Sequence, residues 1–250
     1  GASQAASEQP QGERESQLGL KGPDRRGQVP DAALEGRDGF KSALTLTAAP
    51  VVQPQVGAAA PLVTVVAQVG AGVVGTAAGC GFAAQGFDVL FVDQGDERAL
   101  AEACARGPRL ILTETPSNPL LRIVDIGKVA KLAKECGALY AVDNTFLSPA
   151  LQQPIALGAD IVVHSTTKYI NGHSDVVGGA LVAATSELAE ELTWWANCIG
   201  ATGAPFDSFL TLRGLRTLQV RMRQHEETAS LLARLLDEQD GVRRVYYPGL

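Results

Sequence analysis

Two short stretches carry the residues best suited to chemistry: "LYAVDNT", which delivers Asp143 and Thr145, and "DIVVHSTTK", which delivers Ser165, Thr166, Thr167 and Lys168. Each is an apolar run that turns abruptly polar, and in a parallel sheet the C-terminal strand ends and the loops beyond them form the ligand crevice. Asp143 and Lys168 are therefore expected to meet there. A carboxylate, an amine and a set of hydroxyls suit pyridoxal 5'-phosphate, whose aldehyde needs an amine, whose ring nitrogen needs an anion and whose phosphate needs hydrogen-bond donors. Lys168 would bond the aldehyde carbon and, once displaced by a substrate amine, carry protons. Asp143 would keep the ring nitrogen protonated, because a nearby negative charge favours the cationic form. Ser165 and Thr167, alternating along an extended segment so that both face one side, would donate to the phosphate.

These residues need a scaffold that holds strand ends side by side. From Asp88 onward the chain alternates short β-like runs with amphipathic stretches, the pattern of an α/β fold with a mostly parallel sheet and flanking helices. The expected strands are Val89–Val92, Leu110–Thr113, Leu139–Val142, Ile161–His164 and Ala180–Ala183. "DIGKVAKLAKECG" places Ile126, Val129, Ala130 and Ala133 on one helical face and stops at Gly137. A second helix opens near Ser186, with Glu187 in its first turn. Past Gly200 the sequence predicts a loop containing Gly203 and Pro205. A long helix follows, from about Arg221 to Gln239, with Leu231, Leu232, Leu235 and Leu236 on its apolar face, and the chain ends on the strand-like "VRRVYYPGL".

Composition narrows the function class. A net charge of −6 and the lack of a dense Lys/Arg block argue against nucleic acid. Apolar runs fall well short of the roughly 20 residues of a membrane span, and no secretory pattern opens the chain, which fits a cytoplasmic protein. Cys80, Cys104, Cys136 and Cys198 are widely spaced and read as reduced thiols, not as metal ligands. Residues 1–55 are rich in Gly, Ala, Pro, Gln and charge, so they are expected to be disordered or poorly packed, with residues 56–250 forming the folded part.

The context of these residues is distinctive. "ETPSNPLLRIVDI", "AVDNTFLSPALQQPIALGADIVVHSTTKYINGHSDVVGG" and "WWANCIGATGAPFDSFLTLRGLRTL" resemble the Cys/Met-metabolism (transsulfuration) family of pyridoxal-phosphate enzymes over residues 87–250. The resemblance implies the large domain of the aspartate-aminotransferase-like, type I fold. It also implies Lys168 as the cofactor-bonding lysine and Asp143 as the partner of the ring nitrogen. Ser165 and Thr167 would be phosphate ligands, and Thr145 a further cofactor contact. Asn118 matches the asparagine near the cofactor's phenolic oxygen and the substrate carboxylate, and Glu114 would approach the substrate. His173 and Asp175 are expected to shape the loop, His225 to sit solvated on its helix, and Trp194 and Trp195 to pack. The implied reaction replaces the γ-acyl group of an O-acyl (O-succinyl) homoserine with the thiol of cysteine, or is a γ-lyase, β-lyase or sulfhydrylase variant of it. Small amino-acid substrates and a homotetramer go with that implication.

The resemblance also sets expectations about what lies outside it. Upstream of Phe87 the family's N-terminal arm, its phosphate loop and the tyrosine that stacks on the ring have no counterpart, the tyrosine's place falling within "VGAGVVG". The family's C-terminal domain is expected to be absent, which keeps open a non-catalytic remnant. A separate alternative is a nicotinamide-dependent oxidoreductase. It rests on Gly70-x-Gly72-x-x-Gly75, a β-like run before it and Asp93 about 20 residues on.

Overall fold

The computed structural model describes residues 64–68 and 73–250, with side chains from Ala78 onward. The segment 1–55 and the glycines Gly70 and Gly72 lie outside the described residues. Six strands form one sheet: β1 (Thr64–Gln68), β2 (Asp88–Val92), β3 (Leu110–Glu114), β4 (Leu139–Asp143), β5 (Ile161–Ser165) and β6 (Gly179–Ala183). Their order is β2-β1-β3-β4-β5-β6. Every pairing is parallel except β5 with β6, which is antiparallel. The five strands expected from the sequence are all present, displaced by a residue or less at either end. The helices are α1 (Val73–Ala84), α2 (Glu97–Cys104), α3 (Ile126–Cys136), the single-turn α4 (Ser148–Leu151), α5 (Ser186–Cys198), α6 (Pro205–Leu215) and α7 (Leu218–Asp237).

The core lies against one face of the sheet. Successive side chains on a strand alternate in direction, so Tyr140 and Val142 of β4 point the same way as their register partners on β3, Ile111 and Thr113. Tyr140, Ile111 and Val142 are fully buried against Leu100 and Ala103 of α2 and Ile126, Val129 and Ala133 of α3. Each buried side chain of this size contributes about 1.5–3 kcal/mol. The buried Tyr140 hydroxyl is satisfied by Thr113 Oγ1 at 2.9 Å. The α3 helix starts on an Asp125 cap that accepts from the Lys128 amide and stops at Gly137, whose φ of 73° is left-handed. The opposite residues, Glu114 and Asp143, are left to the other face.

Three readings of the C-terminal half are corrected. Pro205 does not lie in a loop but opens α6, because proline lacks only an amide that the first helical turn leaves unpaired. The leucines of α7 do not form its buried face: Leu231, Leu232, Leu235 and Leu236 stay about half exposed, while Leu218, Met222 and Ala233 are buried. Trp194 and Trp195 do pack, edge to face on each other, while each stays about half exposed. Finally, "VRRVYYPGL" forms no strand; the Tyr247 hydroxyl meets Ser230 Oγ at 2.8 Å, tying this segment to α7. Among the described residues no helix is long and apolar enough to cross a membrane.

Candidate active site

Three neighbouring parallel strands, β3, β4 and β5, end at Glu114, Asp143 and Ser165. Glu114 is the register partner of Asp143, and Asp143 that of Val163. All three therefore share one face, and Ser165, two residues past Val163, shares it too. Beyond these ends opens a cleft of about 760 Å³, within the range of small-molecule sites. It is lined by Glu114, Asn118, Asp143, Thr145, Ser165, Thr167 and Lys168, the seven residues singled out in the sequence, together with Phe146, Tyr169 and the 174–177 loop.

Asp143 is buried, and its Oδ1 accepts the Thr145 amide at 2.9 Å. The Thr145 hydroxyl in turn accepts the Ser165 amide at 2.8 Å, tying the end of β4 to the end of β5. Lys168 is exposed on the turn that follows β5, with its amide on the Ser165 carbonyl at 3.3 Å and its carbonyl receiving Gly172 at 2.9 Å. One expectation changes here. The strand ends at Ser165, so Thr167 sits in the turn instead of alternating with Ser165 along an extended run. Its hydroxyl is already engaged, donating to the Gly178 carbonyl at 3.3 Å and accepting the Gly178 amide at 3.0 Å. Glu114 is buried; burial and the neighbouring Asp143 raise its carboxyl to about 7, with the Asn118 amide pulling the other way.

The lysine turn is held from a distance by a residue the sequence did not point to. Arg221, near the start of α7, donates to the carbonyls of Tyr169 at 2.7 Å and Gly214 at 2.8 Å. Gly172, at φ 71°, lies so close that a Cβ there would sit 2.2 Å from the guanidinium. Gly214 is equally constrained, since its Cβ would fall 2.4 Å from the Ile170 carbonyl. An arginine among charged helical residues carries no signal of this role, because its partner in the lysine turn, Tyr169, lies 52 residues back in the chain. Around the same turn, buried Asn171 bonds the Val176 carbonyl, His173 Nδ1 meets the Asn171 carbonyl at 2.7 Å, and Asp175 pairs with Arg213. His225 is exposed on α7 and lies against the Tyr169 ring.

Asp93, the acidic residue of the dinucleotide alternative, is committed elsewhere: both its oxygens accept from Arg122 at 2.8 Å, and Oδ1 also takes the Gly95 amide. The groups lining the cleft, the Lys168 amine, the buried Asp143 carboxyl and the Ser165 hydroxyl, suit pyridoxal phosphate instead.

Fold and cleft together define an α/β domain of the type that holds pyridoxal phosphate at the strand ends. The family profile for Cys/Met metabolism PLP-dependent enzymes matches residues 74–250, and the chain belongs to that family. It is 58% identical over 164 residues to cystathionine gamma-synthase of Escherichia coli (strain K12), covering 66% of this chain and 42% of that protein. It is 51% identical over 166 residues to cystathionine beta-lyase of Coxiella burnetii, covering 66% and 43%. The crystal structure of cystathionine gamma synthase from Xanthomonas oryzae pv. oryzae in complex with cystathionine superposes with a TM-score of 0.71 at 55% identity, over 76% of this chain and 49% of that one. The chain thus spans half or less of the length of these relatives.

Proposed function

We propose that this chain holds pyridoxal 5'-phosphate in the Lys168 cleft and forms the large-domain part of an enzyme that exchanges the γ-acyl group of an O-acyl (O-succinyl) homoserine for the thiol of cysteine. One observation carries the reading: the residues the chemistry requires, scattered over Glu114 to Lys168 in sequence, all line one cleft. The cofactor, when bound, supplies an electron sink that makes hydrogens next to the substrate amine acidic. Lys168 would bond its aldehyde carbon and, once freed by the substrate amine, move protons along the substrate carbon chain. Asp143, oriented by the Thr145 amide, would set its charge against the ring nitrogen. Ser165 would donate to the phosphate, and Thr167 would do so by giving up its bond to the Gly178 carbonyl. Asn118 is exposed at the cleft rim, where it would meet the phenolic oxygen and the substrate carboxylate, with Glu114 below it.

The replacement reaction is favoured over elimination by the E. coli and X. oryzae relatives, the latter in complex with cystathionine. Because a β-lyase is 51% identical, the test must separate the outcomes. Mixing the chain with pyridoxal phosphate, reducing with borohydride and mapping peptides is expected to label Lys168. Lys168→Ala is expected to lose both the label and the visible absorption band. Labelling spread over surface lysines, unchanged in Lys168→Ala, would overturn the reading. With O-succinylhomoserine and cysteine, cystathionine marks replacement, whereas a keto acid and ammonia mark elimination. Labelling without turnover identifies a cofactor-binding but non-catalytic chain.

A further inference from the structure

The floor of the cleft holds two carboxyl groups where the cofactor reading uses one. Glu114 and Asp143 are register partners on adjacent parallel strands and share a face, so their backbones lie about 4.8 Å apart. They are only 7% and 5% exposed, respectively. Glu114 Oε2 is buried without a hydrogen-bond partner among the described residues, while Asp143 Oδ1 is bound by the Thr145 amide. The surroundings offer little positive charge to balance two anions. Among the described residues Lys168 is the only cation lining the cleft, Asp175 beside it is paired with Arg213, and burial holds the nearby His164 imidazole below its usual value. A buried carboxylate oxygen without a donor is costly, whereas a neutral acid has a proton to give.

We propose that Glu114 serves this site as a neutral acid that hydrogen-bonds Asp143, so that the pair presents a single negative charge to the ring nitrogen of the cofactor. This rests on the pyridoxal-phosphate reading above and changes the role of Glu114 within it. Glu114 becomes a positioning residue that acts through Asp143 and has no need to touch the substrate. By accepting that bond Asp143 becomes less basic, which leaves the shared proton on the heterocycle.

The test uses Glu114→Gln, which keeps a neutral donor, and Glu114→Leu, which has none. Difference infrared spectra of the cofactor-free protein at neutral pH are expected to show a protonated-carboxyl band in the parent that Glu114→Gln lacks. Glu114→Leu is expected to bind pyridoxal phosphate roughly tenfold more weakly, the loss of one charge-assisted bond, and Glu114→Gln to recover that loss. The ratio of parent to Glu114→Gln affinity is expected to fall as the pH passes Glu114's value of about 7. Absence of the carboxyl band, or equal affinities and pH profiles for Gln and Leu, overturns the proposal. The infrared arm needs no cofactor, so it remains decisive even if Lys168 takes up no label.

Discussion

Glu114 couples the site to the stability of the fold. Folding raises its carboxyl from the ordinary 4.5 to about 7, so between those values the native state holds a proton that the unfolded chain has released. Its favourable contribution is complete below the unfolded value and is lost as the pH rises through the folded one. At about 1.4 kcal/mol per unit, the loss amounts to at most about 3–4 kcal/mol. Denaturant titrations are therefore expected to show Glu114→Gln gaining stability over the parent across that window and matching it most closely in acid; an equal difference at all pH values would contradict the burial argument. Residues such as Asp143 and Lys168 were legible in the sequence because an apolar run that ends in a polar group marks a strand end. The state of Glu114 was not, since it depends on the neighbour that register pairing places beside it.

At the scale of elements, the sequence yielded strands and helices where period and caps agree, as in α3 between Asp125 and Gly137. It misled where burial depends on distant partners. The α7 leucines have the spacing of a core face, but this helix packs through Leu218, Met222 and Ala233. Thr167 was assigned to an extended run that ends two residues earlier. The contact between α7 and the lysine turn is where one element governs another. Arg221→Ala leaves the Tyr169 and Gly214 carbonyls without that donor and is expected to cost about 1–3 kcal/mol. Gly172→Ala is expected to destabilise by at least about 1 kcal/mol through its left-handed φ, plus the clash with the guanidinium. Because that clash disappears once Arg221 is gone, the two substitutions should be less than additive. Strict additivity in a double-mutant cycle would show that the turn does not lean on Arg221.

The whole molecule leaves apolar surface that its described residues do not cover. Helix α5 buries none of its side chains, and Trp194, Phe206, Phe209 and Leu212 are each more than half exposed. Val177, on the rim of the cleft, is 86% exposed. Large apolar patches commonly mark contact surfaces, and we propose that this one lies between copies of the chain, in line with the homo-oligomer that the family resemblance implies. Light scattering is then expected to give a mass that rises with concentration above the 26.1 kDa of one chain. Replacing both Trp194 and Phe206 with lysine should return it to that value, because two unpaired charges in an apolar contact cost more than the contact returns. If α5 and α6 form that contact, tryptophan emission shifts to shorter wavelength along with the rise in mass, as water leaves the indoles. A constant monomer mass with emission typical of exposed indoles would show that this surface is not where copies meet. Should Val177 be covered in the same assembly, pyridoxal phosphate uptake should itself grow with protein concentration, linking the cleft to the association of the molecule.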